Sequence, residues 1–161
     1  MPYGQQRRRA GVAISVAFAV SLLHALVLAP ADARAGMQAG WQAYTAGDYE
    51  TAIREWQPLA EAGDHQAAYA LGMAFQIKGE AAGAVPWYEQ AASAGVAEAQ
   101  ILLGRIYVEG IAVPRDLVRA YAWLLRAAEK QSPNVQLILD SVAGLMTAGE
   151  IEAAKALSET L

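Results

Sequence analysis

Residues 103–128 read Leu-Gly-Arg-Ile-Tyr-Val-Glu-Gly-Ile-Ala-Val-Pro-Arg-Asp-Leu-Val-Arg-Ala-Tyr-Ala-Trp-Leu-Leu-Arg-Ala-Ala. Leu103, Gly104 and Tyr107 recur at helical spacing, and the connection Gly110 to Pro114 ends that run. Asp116 then opens a second helix with Ala120, Trp123, Ala127 and Ala128 on its inner face. Gly104 is also the third rung of a ladder. Gly40, Gly72 and Gly104 are evenly spaced, and the pairs Gly47/Gly79 and Gly63/Gly95 keep the same step. A period of this size marks a stacked array, in which each unit buries its apolar face only against its neighbours. Arrays of this kind bind partners over an extended face and seldom catalyse.

The units upstream have the same two-helix form. In the first, Met37, Trp41 and Tyr44 recur until Gly47-Asp48. Asp48 can cap a helix whose stripe is Tyr49, Ala52, Ile53, Trp56 and Leu59, and Gly63 is the expected C-cap. The second unit places Tyr69, Leu71, Gly72 and Phe75 before Gly79, then Ala84, Trp87, Tyr88, Ala91 and Ala92 before Gly95. Gly72 and Gly104 fall in mid-helix, where glycine costs about 1 kcal/mol against alanine. Close approach of a neighbouring helix is the expected compensation, with Trp56, Trp87, Tyr88 and Trp123 filling the wider gaps. Pro58 predicts a kink. Pro86 predicts a helix that starts late, near Gly83. Residues from Pro133 to Leu161 read as two more helices, split at about Gly149, with the poorer aromatic content of a terminal cap.

The run Leu103-Gly104, Tyr107, Gly110, Val113, Asp116, Ala120, Trp123 and Ala127-Ala128 resembles a Sel1-like repeat, a relative of the tetratricopeptide repeats. Ala70-Leu71-Gly72, Phe75, Gly79, Ala84, Trp87-Tyr88, Ala91-Ala92 and Gly95 resemble a second copy with a shorter loop. Gly47-Asp48-Tyr49, Ala52 and Trp56 are closer to a plain tetratricopeptide unit. The tail, Leu145-Met146-Thr147 through Glu150, Ile151, Ala153 and Leu157, is similar to the helix pair that often closes bacterial Sel1-like proteins. Ala112 and Gln131 stand where the family usually has glycine. The resemblance implies an all-α fold: an α-solenoid of stacked antiparallel helix pairs, about three repeats plus a C-terminal pair. It also implies a non-catalytic adaptor or scaffold as the function. The penicillin binding attributed to disulfide-bearing exported relatives is not carried over, because this chain has no cysteine.

The first 35 residues are of a different kind. Arg7, Arg8 and Arg9 precede an uncharged run from Ala10 to Ala29. Three overlapping small-x-small patterns follow, at Ala29-Pro30-Ala31, Ala31-Asp32-Ala33 and Ala33-Arg34-Ala35. This is the pattern of a signal peptide cut after Ala33 or Ala35, with an uncleaved membrane anchor as the alternative. The expected division is therefore 1–35 as signal or anchor and 36–161 as the repeat domain, exported to the periplasm or secreted. From Gly36 onward eight basic residues face fifteen acidic ones, a net charge of −7. That balance gives no expectation of a nucleic-acid partner, and a membrane contact is expected only through an uncleaved N-terminal segment.

No constellation of catalytic residues stands out. His65 reads as an exposed turn residue, and no Gly-x-Ser-x-Gly elbow or phosphate-cradling glycine loop is present. A metal site would need several clustered ligands. No enzyme activity, cofactor or metal is expected. The alternative reading is an envelope enzyme or accessory subunit acting on cell-wall material, which would need a carboxylate pair in a cleft. If the units stack as the resemblance implies, the first helix of each lines the concave side. Residues off its packing stripe are Trp41, Tyr44, Tyr69, Met73, Gln76, Arg105 and Glu109. They are the candidate contacts to a protein or peptide partner; equally, Trp41, Tyr44 and Tyr69 fit simple packing between layers.

Overall fold

The computed structural model describes residues 31–129 and 133–161. The basic cluster Arg7 to Arg9, the uncharged run 10–29 and Gln131 lie outside them. The chain divides into two compact units, Met1–Gly36 and Met37–Leu161. Of the first, only residues 31–36 are described, and these are helical.

The second unit is built of helices alone among the described residues. They are α1 (helical residues 37–45 of this unit), α2 (Tyr49–Glu61), α3 (His65–Ile77), α4 (Ala81–Ser93), α5 (Ala97–Glu109), α6 (Leu117–Ala128), α7 (Pro133–Ala143) and α8 (Ala148–Ser158). From α2 to α6 each helix packs on the next, and α6 touches both α7 and α8. The result is an all-α repeat solenoid of antiparallel pairs, as the glycine ladder predicts.

Its underlying step is half the one seen in the ladder. Helices α2 to α5 have 13 residues each. They begin at Tyr49, His65, Ala81 and Ala97, at equal intervals along the chain. One turn repeats at the same interval. Gly47, Gly63, Gly79 and Gly95 all have φ between 81° and 94°, a region open to glycine and costly for other residues. At each, the following residue donates its N–H five positions back: Asp48 to Ala43, Asp64 to Leu59, Glu80 to Phe75 and Val96 to Ala91, at 2.9–3.0 Å. The glycine itself donates three positions back. This is the Schellman termination, which satisfies carbonyls the helix end would leave unpaired.

The residue after each glycine is at once the N-cap of the next helix. Asp48 accepts from Thr51 N–H at 3.0 Å, and Asp64 from Gln66 and Ala67 N–H. Asp116 accepts from Arg119 N–H at 2.9 Å, as its place in the sequence predicts. The four glycine turns leave no spare residue between helices, so each fixes both the end of one and the start of the next.

That constraint corrects the expectation at Pro86. Helix α4 starts at Ala81, not near Gly83, because the turn at Gly79-Glu80 sets its origin. Pro86 sits inside it, and α2 likewise runs through Pro58 to Glu61. The split in the tail also falls earlier than expected. Thr147 and Glu150 form a reciprocal capping box, so α8 begins at Ala148 and Gly149 lies within its first turn.

The mid-helix glycines are contact points. A Cβ on Gly72 would lie 2.6 Å from Cε1 of Tyr88, and one on Gly104 would lie 2.6 Å from Cγ of Leu124. A Cβ on Gly40 would land on the indole of Trp56. Trp56, Tyr88 and Leu124 are equivalent positions of α2, α4 and α6, and all are fully buried. Around them the core is largely alanine, including Ala52, Ala60, Ala70, Ala84, Ala91, Ala92, Ala99 and Ala120. Small side chains bring helix axes together, and one large side chain per pair fills what remains.

Two glycine substitutions should therefore have opposite signs. Gly72→Ala gains about 1 kcal/mol of helix propensity but forces overpacking against Tyr88, which costs about 1–3 kcal/mol. The net effect expected in urea unfolding is destabilisation. Gly149→Ala meets nothing within 4 Å, and should raise stability by about 0.5–1 kcal/mol.

Candidate functional site

The first helices of the pairs are α1, α3, α5 and α7. Residues 37–45 and α3 contain no aspartate, glutamate, lysine or arginine, whereas α2 alone carries Glu50, Arg54, Glu55 and Glu61. The exposed positions of these two segments are Gln38, Trp41, Gln42 and Thr45 in the first and His65, Gln66, Gln76 and Ile77 in the second.

The aromatic residues at the start of the array form one connected group. Trp41 meets Trp56 edge-on with ring centroids 5.0 Å apart, and Tyr44 edge-on at 5.6 Å. Tyr44 in turn contacts Tyr49 and Trp56. Trp56 donates its indole N–H to the Met37 carbonyl at 3.3 Å, so the buried ring is satisfied and pins α2 to α1. Trp41 is left 38% exposed. One repeat further, Tyr69 approaches Tyr88, and the Tyr88 hydroxyl donates to Oε1 of Gln76 at 2.7 Å.

The seven predicted contact residues thus fall into three groups. Trp41, Tyr44, Tyr69 and Met73 are half-buried or partly open at the edge of the core, with one side on the packing and the other toward solvent. Gln76 is exposed but engaged with Tyr88. Arg105 and Glu109 are exposed on α5 and pair with each other at 3.5 Å. Arg105 and Glu109 also border a groove of about 310 Å³ between α5 and α7, whose other walls include Val108, Ile138 and Val142. The structure brings Arg105 and Glu109 to a common groove and gathers Trp41 and Tyr44 in a separate aromatic group. Sequence reasoning misses the α7 wall, because apolar residues of an amphipathic tail read as core.

Polar ties join the helices. Gln90 on α4 donates to the Ala60 carbonyl on α2 at 2.6 Å, linking the second helices of neighbouring pairs, and Gln100 on α5 donates to the Ala92 carbonyl on α4 at 2.9 Å. Tyr107 donates to Glu89 at 2.9 Å and accepts from Arg119 at 3.3 Å, joining α4, α5 and α6. Arg126 donates to the Leu161 carbonyl at 2.7 Å and so holds the end of the chain against α6.

His65 is the exposed first residue of α3. Among the described residues no group of three or more histidine, aspartate or glutamate side chains could hold a metal ion. No helix among them is long and apolar enough to cross a membrane. Four tyrosines are among the perturbed groups. Burial, with the neighbouring Tyr69 and Tyr44, pushes the Tyr88 phenol far above its ordinary value, and burial raises Tyr69, Tyr107 and Tyr44 as well.

Raised tyrosines make stability depend on alkaline pH. Above a pH of about 10, the ordinary tyrosine value, the unfolded chain sheds phenolic protons that the folded chain retains. Stability should be intact below that pH and fall as the pH climbs past it. Thermal melts across the alkaline range, read beside phenolate absorbance, should show Tyr88 ionising only on unfolding.

Comparison with known proteins agrees with the pairing of helices. Residues 65–96 and 97–132 each match the Sel1 repeat model, the two units being α3–α4 and α5–α6. The chain carries two consecutive Sel1 repeats. No curated protein matches it. A protective antigen of uropathogenic Escherichia coli strains, which displays an SLR fold, superposes with a TM-score of 0.71 at 27% identity. A Sel1 repeat protein from Oxalobacter formigenes gives 0.60 at 24% identity, which bears on the fold alone. These alignments cover 80% and 81% of this chain but only 29% and 59% of the other two.

Proposed function

We propose that this Sel1-repeat protein is a non-catalytic adaptor of the cell envelope, which takes up a protein or peptide partner on its first-helix face. The observation that carries the proposal is the make-up of that face. Over residues 37–45 and α3 it is uncharged and presents Trp41, Tyr44, Tyr69 and Met73 at the core edge. Rigid aromatic rings, anchored on one side and open on the other, supply contact area at low entropic cost, and methionine adds an adaptable apolar contact. Sel1 repeats in general act as adaptors between proteins and not as catalysts, which supports the same reading.

Placement in the envelope rests on the N-terminal pattern of Arg7 to Arg9, the uncharged run and the small-x-small sites. Sequencing the N-terminus of the mature protein tests it. A start at Arg34 or Gly36 is expected; a product that keeps residue 1 and sediments with membranes would mean an anchor. Affinity capture from the periplasmic fraction tests the function. A stoichiometric protein partner is expected, with a Trp41→Ala, Tyr69→Ala double variant reducing its recovery at least tenfold. Turnover of a wall-derived substrate, abolished by changing a single carboxylate, would replace the adaptor reading with an enzymatic one.

A further inference from the structure

The terminal helix pair leaves two leucines open: Leu137 is 69% exposed and Leu145 is 59% exposed. Both border the groove of about 310 Å³ between α5 and α7. Its apolar walls are Val108, Ile138 and Val142, and Arg105 with Glu109 forms its rim. Leu145 also borders a second depression, where it meets Leu117, Arg115 and Glu150. Isolated exposed leucines are common. Two on the walls of one apolar groove, with the surface continuing past the second, form a binding feature.

We propose that this groove docks a short amphipathic segment of a protein partner, which inserts two leucine-sized side chains and carries basic residues beside them. The proposal rests on the adaptor reading and adds a location and a partner chemistry to it.

Size argues for a segment over a second copy of the chain. A stable dimer buries about 800 Å² per partner. Here the apolar surface is confined to the groove and its lip, which Ser141 interrupts, while Gln136 and Asp140 on the same helix are exposed and polar. The groove volume lies at the lower end of the roughly 300–1,000 Å³ typical of small-ligand clefts. That is room for a pair of side chains at the one-turn spacing by which an amphipathic helix enters a groove. Charge argues for a basic segment. At the rims the charges are matched, Glu109 with Arg105 and Asp116 with Arg119, and Glu150 is held in the Thr147 capping box. The bias comes from the repeat region as a whole: residues 36–161 carry −7, so encounter with a basic partner is favoured at long range.

The test is selection of a display library of random dodecapeptides on the immobilised full chain. Enriched peptides are then synthesised and titrated against wild type, Leu137→Asp, Leu145→Asp, Tyr69→Ala and Gln57→Ala, an exposed position on α2, each first checked by thermal melt. The expected peptides are net positive and carry two large apolar residues three or four positions apart. They should lose at least tenfold in affinity to Leu137→Asp and to Leu145→Asp, and keep it with Gln57→Ala. Failure to enrich any peptide overturns the groove proposal, as do enriched peptides that are acidic or lack the apolar pair. Peptides weakened by Tyr69→Ala but not by Leu145→Asp also overturn it, while leaving the adaptor reading in place. Sedimentation that shows a dimer dissolved by Leu145→Asp would assign the groove to a second copy instead.

Discussion

Every full repeat closes at a point where one helix has no Cβ. Gly40, Gly72 and Gly104 let Trp56, Tyr88 and Leu124 press directly on the backbone opposite. Hydrophobic burial alone would not select this arrangement, since alanine at these positions would bury as much surface. Packing density does select it: at Gly72 and Gly104 a methyl group would sit 2.6 Å from another carbon, with nowhere to go in an interior already filled with alanine. The energy lost to glycine in mid-helix is offset by contact along the whole pair. The rest of the solenoid then follows as repetition of one closed unit.

Repetition needs a turn that can be repeated without drift. Four glycines at positive φ, each followed by a residue that closes one helix and caps the next, provide it. Helix and turn together take half the ladder's step, so each pair takes one full step. In the first two pairs the anchoring side chain follows its glycine by that half-step, Trp56 after Gly40 and Tyr88 after Gly72. In the third the loop from Gly110 to Asp116 moves that partner to Leu124. Gly110 has a different termination, donating to Ile106, and Asp116 N–H bonds back to the Tyr107 carbonyl. The family-specific loop is thus a local lengthening between α5 and α6 that leaves the glycine contact intact.

Much of this is legible in the residues. The ladder points to the fold, the mid-helix glycines point to close helix contact, and Asp48 and Asp116 announce their caps. The half-step is harder to see, because Gly47 and Gly63 look like different features until all four turns prove identical. Pro86 misleads because a proline normally weakens a helix upstream of itself, and here the preceding turn outweighs it. Gly149 has the look of a breaker, although the Thr147–Glu150 box around it carries the stronger signal. The candidate site is less legible. Helical spacing says that Trp41, Tyr44 and Tyr69 share a face, but the same spacing serves core and surface, and each of these rings touches both. Leu137 and Leu145 cannot be told from core leucines by spacing, since only the packing of α7 on α6 decides which side of α7 faces out.

The central claim is that the glycine and the large side chain opposite it are one structural element. A double-mutant cycle in urea on Gly72→Ala and Tyr88→Ala measures it directly. Tyr88→Ala alone removes a buried ring, a loss of about 3–5 kcal/mol. In that background Gly72→Ala should turn from destabilising to neutral or stabilising, a coupling of about 1–3 kcal/mol. If Gly72→Ala carries the same cost with and without the Tyr88 ring, the contact does not govern the pair and the account of the solenoid fails at its base.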